Sequence, residues 1–229
     1  MFESQRVPEP EVMDDSGEVV AYSSAAAQSY LNQIDDTFVA RAVRLVNRRE
    51  RGRALDIGTG PGQIVVKLAR QLTRWKFVAV DRSSHMIAEA AANLVAAGPD
   101  LARRVEFQIA DANALPFPDA TFDLIFCNSV LHHMFEPERL LAEMARVAKP
   151  RGAVLLRDLR RPNRYVHRWH VRRHGRHYSG KMRELYEASV RAAYIAPELQ
   201  RLVEASRLAR VRVFNDASTH IGIERPISE

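Results

Sequence analysis

The residues of this chain best suited to chemistry begin at Leu55 to Gln63, L-D-I-G-T-G-P-G-Q. Ala54 to Ile57 is a short apolar run fit for a buried strand, and Gln63 to Leu72 has helical spacing of apolar residues. Gly58, Gly60 and Gly62 therefore fall in the turn between the two. Glycine reaches positive φ and lets a ligand approach the main chain, and the following helix opens on unpaired amides. Such a turn suits a polar, nucleotide-like cofactor. A dinucleotide fingerprint would need glycine at position 63, where the chain has Gln63; the pattern is D-x-G-x-G-x-G, from Asp56 to Gly62. About twenty residues on, Lys76 to Asp81 reads as an apolar strand ending in a carboxylate, placed to accept both hydroxyls of a ribose. Asp81 and its neighbour Arg82 are thus cofactor candidates, while Ser83 and Ser84 are present to cap the helix that follows.

Three further segments complete a pattern. Val105 to Ala110 is followed by D-A-N-A-L-P-F, Phe117 to Met134 reads F-P-D-A-T-F-D-L-I-F-C-N-S-V-L-H-H-M, and Lys149 to Leu159 reads K-P-R-G-A-V-L-L-R-D-L. In this order, from about Arg53 to Leu159, the chain resembles class I S-adenosylmethionine-dependent methyltransferases, most closely the ubiquinone/menaquinone-methyltransferase-like (type 11) branch. The resemblance implies an α/β fold: a Rossmann-like, doubly wound, seven-stranded sheet, mostly parallel with an antiparallel last strand. It implies S-adenosyl-L-methionine as cofactor and S-adenosyl-L-homocysteine as product. It further implies that Asp56 orients the glycine loop and the ligand's ammonium group, and that Asp111 accepts from the adenine amino group while Ala112 offers a backbone amide to the ring. Asn128 and Ser129 would lie at the methionine end, just past a strand over Phe122 to Cys127. Lys149 to Leu159 would be a helix end, a Pro/Gly turn and the fifth strand.

Helical spacing also predicts two N-terminal helices, roughly Ser23 to Ile34 and Asp36 to Arg48. In the resembled family such helices cover the cleft, which makes Tyr22 and Tyr30 contacts for the cofactor carboxylate or the substrate; ring packing is the alternative for each. His132 and His133 follow the fourth strand, beside the expected methyl donor. Either imidazole suits removal of a proton from a hydroxyl or amine, and the alternative is that one caps or packs the next helix. The run C-N-S-V differs from the N/D-P-P-Y/F signature of amino-methyltransferases acting on nucleobases.

After the fifth strand the chain turns basic: Arg157 to Arg183 holds ten Lys or Arg against Asp158, with His167, His170, His174 and His177 in the same stretch. An insertion over about 160–195 reads as a lid over the cleft. Arg157, Arg160, Arg161 and Arg164 follow the strand end and suit a carboxylate or phosphate; a solvated surface and RNA contact are the other readings. The four histidines align at helical spacing, but Gly175 interrupts them and the arginines would repel a cation, so no metal is expected. The expected reaction is methyl transfer to oxygen, carbon or nitrogen of a small anionic molecule. An RNA methyltransferase and an inactive cofactor-binding partner protein are the alternatives.

The 229 residues, 46% of them hydrophobic, suit one doubly wound domain over 19–229 behind a disordered tail over 1–18. The chain has a net charge of +6 and a pI near 9.8. No apolar run approaches a membrane span, the start is acidic and proline-containing rather than a leader, and Cys127 stands alone, so the expectation is a cytoplasmic protein.

Overall fold

A computed structural model describes residues 5–8, 29–47 and 49–228. At its centre lie β1 Gly52–Ile57, β2 Trp75–Asp81, β3 Val105–Ile109, β4 Phe122–Asn128, β5 Ala148–Leu159, β6 Arg212–Asp216 and β7 His220–Arg225. They form one sheet in the order β3-β2-β1-β4-β5-β7-β6, parallel from β3 through β5, with β7 antiparallel to both β5 and β6. The strand order reverses between β1 and β4, and a reversal of this kind opens a crevice beyond the carboxyl ends of the strands.

The last four residues of β1 and all but the last of β4 are buried, as central parallel strands covered on both faces require. One face is covered by α1 Ser29–Val46, α2 Gln63–Gln71 and α3 Ser84–Ala97, which set Phe38, Ala42, Val65, Leu68 and Leu94 in one cluster with Ala54, Phe77 and Phe126. A four-residue helix, α4 Pro99–Ala102, leads into β3. The other face is covered by α5 Pro137–Val147 and, after α6 His167–His174 and α7 Gly180–Ala192, by α8 Ala196–Ala205. There Leu140, Met144, Leu199 and Val203 cluster with Leu55, Ile57 and Ile125. Among the described residues no helix is long and apolar enough to cross a membrane.

Two local expectations are corrected. The break expected between Ile34 and Asp36 is absent, and α1 runs through it; Asp36 stays in the helix and accepts from Lys67 Nζ, from the following helix, at 2.7 Å. The expected turn at Pro150–Gly152 is instead a bulged entry into β5: Phe122 pairs with Ala148, but Leu124 pairs with Ala153. A Cβ on Gly152 would lie 3.0 Å from the Phe122 carbonyl oxygen, which is why the bulge holds a glycine. Part of the expected tail also has a fixed place: Val7 N donates to Arg191 O at 3.1 Å, and the Arg6 guanidinium reaches Ala192 O at 2.7 Å and His132 O at 3.0 Å.

Candidate active site

Gly58, Gly60 and Gly62 all take left-handed backbone, with φ of 70, 53 and 78°. A Cβ on Gly58 would fall 2.2 Å from a methyl of Val130, so the loop can pass beneath the segment after β4 only with glycine there. The amides of Gly58 and Thr59 donate to Val80 O, and that of Gly60 to Asp81 Oδ2 at 2.8 Å. Asp81 Oδ1 accepts from Ser83 N at 3.0 Å, and Ser83 Oγ caps α3. Asp56 is buried and accepts from Thr59 Oγ1 at 2.8 Å. Burial, opposed by that bond and reinforced by the charges of Asp81 and Asp35, pushes Asp56 up to about 8.

Two adjoining cavities open at the switch point, of about 910 and 1130 Å³ of empty space including open solvent, each ample for a small molecule. The first is walled by Gly58, Gly60, Asp81, Arg82, Asp111, Ala112 and the segment from Asn128 to Val130. Asn113 also lines it, and its buried Oδ1 has no hydrogen-bond partner among the described residues. Gly58, Gly60, Asn128, Ser129 and His133 line both cavities, so the two meet at the end of β4. Ser129 takes φ of 60°, and its amide donates to Arg157 O at 2.8 Å.

The second cavity is bounded by Asp35, Asp56, His132 and His220 and by an apolar wall from the lid, Tyr178, Met182, Leu185 and Tyr186. His132 lies in the 3-10 turn Leu131–His133, with Nδ1 2.5 Å from Asp158 Oδ1 and its backbone N 3.0 Å from Asp158 Oδ2. Leu159 N donates to the same carboxylate at 2.6 Å. Burial pushes Asp158 up, but the attraction and hydrogen bond of His132, joined by the backbone amides, outweigh it and hold the carboxyl below its usual range. A carboxylate on Nδ1 fixes the tautomer and leaves the lone pair of the neutral ring on Nε2. His220 is held down at about 3 by burial and the Arg157 charge, so it stays neutral. Burial also raises Asp35 to about 6, against the opposing charges of Lys67 and Arg157.

Residues 55–156 match the family model of a methyltransferase domain. Over 130 residues the chain is 33% identical to the ubiquinone/menaquinone biosynthesis C-methyltransferase UbiE of Geobacter sulfurreducens, a match covering 56% of this chain and 50% of that protein. Over 118 residues it is 34% identical to the 27-O-demethylrifamycin SV methyltransferase of Amycolatopsis mediterranei, covering 52% of this chain and 42% of that one. The chain thus spans about half the length of the curated relatives it matches. The fold aligns with a solved SAM-dependent methyltransferase of Aquifex aeolicus at a TM-score of 0.59 and 25% identity, over 77% of this chain and 82% of that one. Residues 55–156 thus carry a methyltransferase domain, and the chain is similar to S-adenosylmethionine-dependent methyltransferases. The group against which to measure this cleft is S-adenosylmethionine, on which the Aquifex aeolicus protein depends. The residues present fit that group: the glycine loop presents main chain at Gly58 and Gly60 to the first cavity, Asn113 Oδ1 is a buried acceptor with no partner among the described residues, and the carboxylates of Asp81 and Asp111 suit a cationic nucleoside.

Of the candidates named from sequence, Gly58, Gly60, Asp81, Arg82, Asp111, Ala112, Asn128 and Ser129 line the first cavity and Asp56, His132 and His133 the second. Gly62 lines neither; it closes the loop through its amide to Thr59 O and packs against Ala90 and Phe107. Tyr22 lies outside the described residues. The four arginines need correction, for none of them lines either cavity. Arg157 is buried beneath the site: its Nε donates to Asn128 Oδ1 at 2.9 Å, and one Nη reaches Ile34 O, Thr37 Oγ1 and Asp216. Arg161 is buried against Ala193 O and Glu198, Arg160 reaches Asn215, and Arg164 is exposed beside Tyr165. A strand end aims alternate side chains to opposite faces and the chain then turns away from the cleft, so nearness in sequence to β5 did not place these guanidinium groups in it.

The lid's inward face is aromatic and apolar rather than basic, with the Tyr178 and Tyr186 rings 5.0 Å apart in a small core with Val171 and Val190. Tyr178, Met182 and Tyr186 recur every fourth residue, a signal present in the sequence but eclipsed by the arginines around it. Asp158 and His220 were also missed as site residues. Register explains both: antiparallel β7 pairs His220 with Leu159, bringing its first residue to the edge where the parallel strands end. Among the described residues no group of three or more His, Cys, Asp or Glu is arranged to hold a metal ion.

Proposed function

We propose that this protein methylates a hydroxyl of a small, largely uncharged organic molecule, with His132 as general base and Asp158 holding it in place. When bound, S-adenosylmethionine supplies an activated methyl on a sulfonium. Gly58, Gly60, Asp81, Asp111, Ala112 and Asn113 would hold its nucleoside half and Asp56 its amino-acid half. The chain's remaining work is to place the acceptor, exclude water and take one proton. A hydroxyl is a weak nucleophile until it loses its proton, and an imidazole fixed by a buried carboxylate can take that proton and be stabilised as imidazolium. The observation that carries this reading is the 2.5 Å contact of His132 Nδ1 with Asp158 at the wall of the second cavity.

The acceptor class follows from the same wall. Ile34, Ile64, Leu159, Tyr178, Met182 and Leu185 line it, with no Lys or Arg among the described lining residues, so an anionic acceptor meets no counter-charge from them and an apolar molecule bearing a hydroxyl has a fitting surface. The 27-O-demethylrifamycin SV methyltransferase is a relative whose name describes transfer to an oxygen of such a molecule. The test is S-adenosylhomocysteine release with a panel of phenols and alcohols against amines and carboxylates of matched size. Turnover of hydroxyl compounds that falls sharply in His132→Ala supports the reading. Turnover confined to anionic acceptors, or indifferent to His132, rejects it, and cofactor binding without turnover on any acceptor favours the inactive partner.

A further inference from the structure

The lid concentrates the positive charge of the whole molecule. Residues 159–183 hold nine Lys and Arg and no Asp or Glu, which leaves the rest of the chain with 25 Lys and Arg against 28 Asp and Glu. Arg164, Arg168, Arg172, Arg173 and Arg176 are exposed on it. So are three large apolar side chains, Tyr165 at 65%, Val166 at 46% and Trp169 at 61%. Charge and ring are interleaved: the Arg164 guanidinium lies 4.7 Å from the Tyr165 ring centre and that of Arg173 5.6 Å from Trp169. The opposite side of α6 is buried through His170 and Val171, so the helix already has its inner partner and Trp169 faces outward by construction. A surface that only solvates charge has no reason to hold Trp, Tyr and Val outward together. A surface that meets the boundary between water and hydrocarbon does, because aromatic rings sit at headgroup level while guanidinium groups reach the phosphates.

We propose that the outer face of the lid docks on an anionic lipid surface, with Tyr165, Val166 and Trp169 seated among the headgroups and Arg168, Arg172 and Arg173 against lipid phosphate. RNA could meet the same arginines and stack on the same rings. Two observations favour lipid: Val166 offers no ring to stack, and the cavity on the inner side of the same lid is apolar, suited to a molecule that partitions into a bilayer. The second point rests on the acceptor reading given above. The acidic balance of the remaining chain orients the molecule lid-downward on a negative surface.

The test needs no acceptor. The chain has two tryptophans; Trp75 is 1% exposed in the core, so a change of emission on docking reports Trp169. The full chain, saturated with S-adenosylhomocysteine, is titrated with vesicles of phosphatidylglycerol and phosphatidylcholine and then floated on a density gradient. Expected are co-flotation, a blue shift of emission, and binding weakened about tenfold or more by R172E together with R173E, or by W169S. S-adenosylhomocysteine affinity should be unchanged in those variants, which shows that they fold. No association, equal binding to pure phosphatidylcholine, or tighter binding to polyuridylate than to the anionic vesicles at equal salt would each overturn the proposal. Vesicle binding that persists when no hydroxyl compound is turned over leaves docking intact and defeats only the acceptor reading.

Discussion

An imidazole takes a proton from a hydroxyl efficiently only when its lone pair is fixed and its charged form is stabilised as it appears. Asp158 does both for His132, and a carboxyl held below its usual range stays ionised to do so. His132→Ala should therefore lower kcat by about 10²- to 10⁴-fold, leaving the Kd of S-adenosylhomocysteine as it was. Asp158→Asn, which keeps the shape but can present an amide to Nδ1, should lower kcat through the wrong tautomer, again without loss of cofactor. Single-turnover rates separate these effects from binding, and a wild-type rate in His132→Ala would remove the base from the mechanism. Asp81 belongs to the cofactor instead. Because it also holds the amides of Gly60 and Ser83, Asp81→Ala should weaken S-adenosylhomocysteine binding by about 1–3 kcal/mol, read by calorimetry with kcat at saturating cofactor little changed.

Elements meet at these residues through a few long side chains. Arg157 is the clearest, tying α1, the end of β4 and β6 together from one buried guanidinium, and another of its nitrogens is buried without a partner among the described residues. Arg157→Met should lower stability by about 1.5–3 kcal/mol in urea unfolding, because Asp216 and the Ile34 carbonyl lose a charged donor. Arg157→Lys should rescue little, since an ammonium cannot span the same partners as a fork. A stability equal to wild type in Arg157→Met would show that the hub is dispensable. Strands β1, β2 and β4 were legible because each is a mostly apolar run closed by Gly, Asp or Asn at the carboxyl edge, and the site residues Asp81 and Asn128 at those ends, with Asp111 just past β3, were legible with them. The lid was legible only in existence. The run H-R-W-H-V-R-R-H reads as charge from either side, and which face turns inward is decided by Val171, Tyr178 and Tyr186 finding one another, a contact across a turn that periodicity alone does not supply. Likewise Asp158 and His132 are 26 residues apart and meet through the parallel register of β4 and β5.

Across the whole molecule, basic and acidic groups are divided between lid and cleft, and the cleft's share has a measurable consequence. Asp56 at about 8 and Asp35 at about 6 both lie above the value of 3.8 that they would have in an open chain. As pH rises from about 4 to 8, the folded protein without ligand keeps protons that the unfolded chain has released, so these two groups lower its stability progressively over that window. A ligand whose ammonium group faces them favours the ionised carboxylates and must displace those protons to bind. S-adenosylhomocysteine should therefore bind more tightly as pH rises from 6 to 8, its Kd falling by up to about tenfold per pH unit where one proton is released. The rise in Tm that it confers should be larger at pH 8 than at pH 6. Calorimetry in buffers of different ionisation enthalpy reads the proton directly: net release at pH 7 is expected, and it should vanish in Asp56→Asn. An affinity flat across this range, or proton uptake on binding, would mean that Asp35 and Asp56 do not face the ligand's ammonium, and the assignment of the second cavity's floor to the amino-acid half of the cofactor would have to be withdrawn.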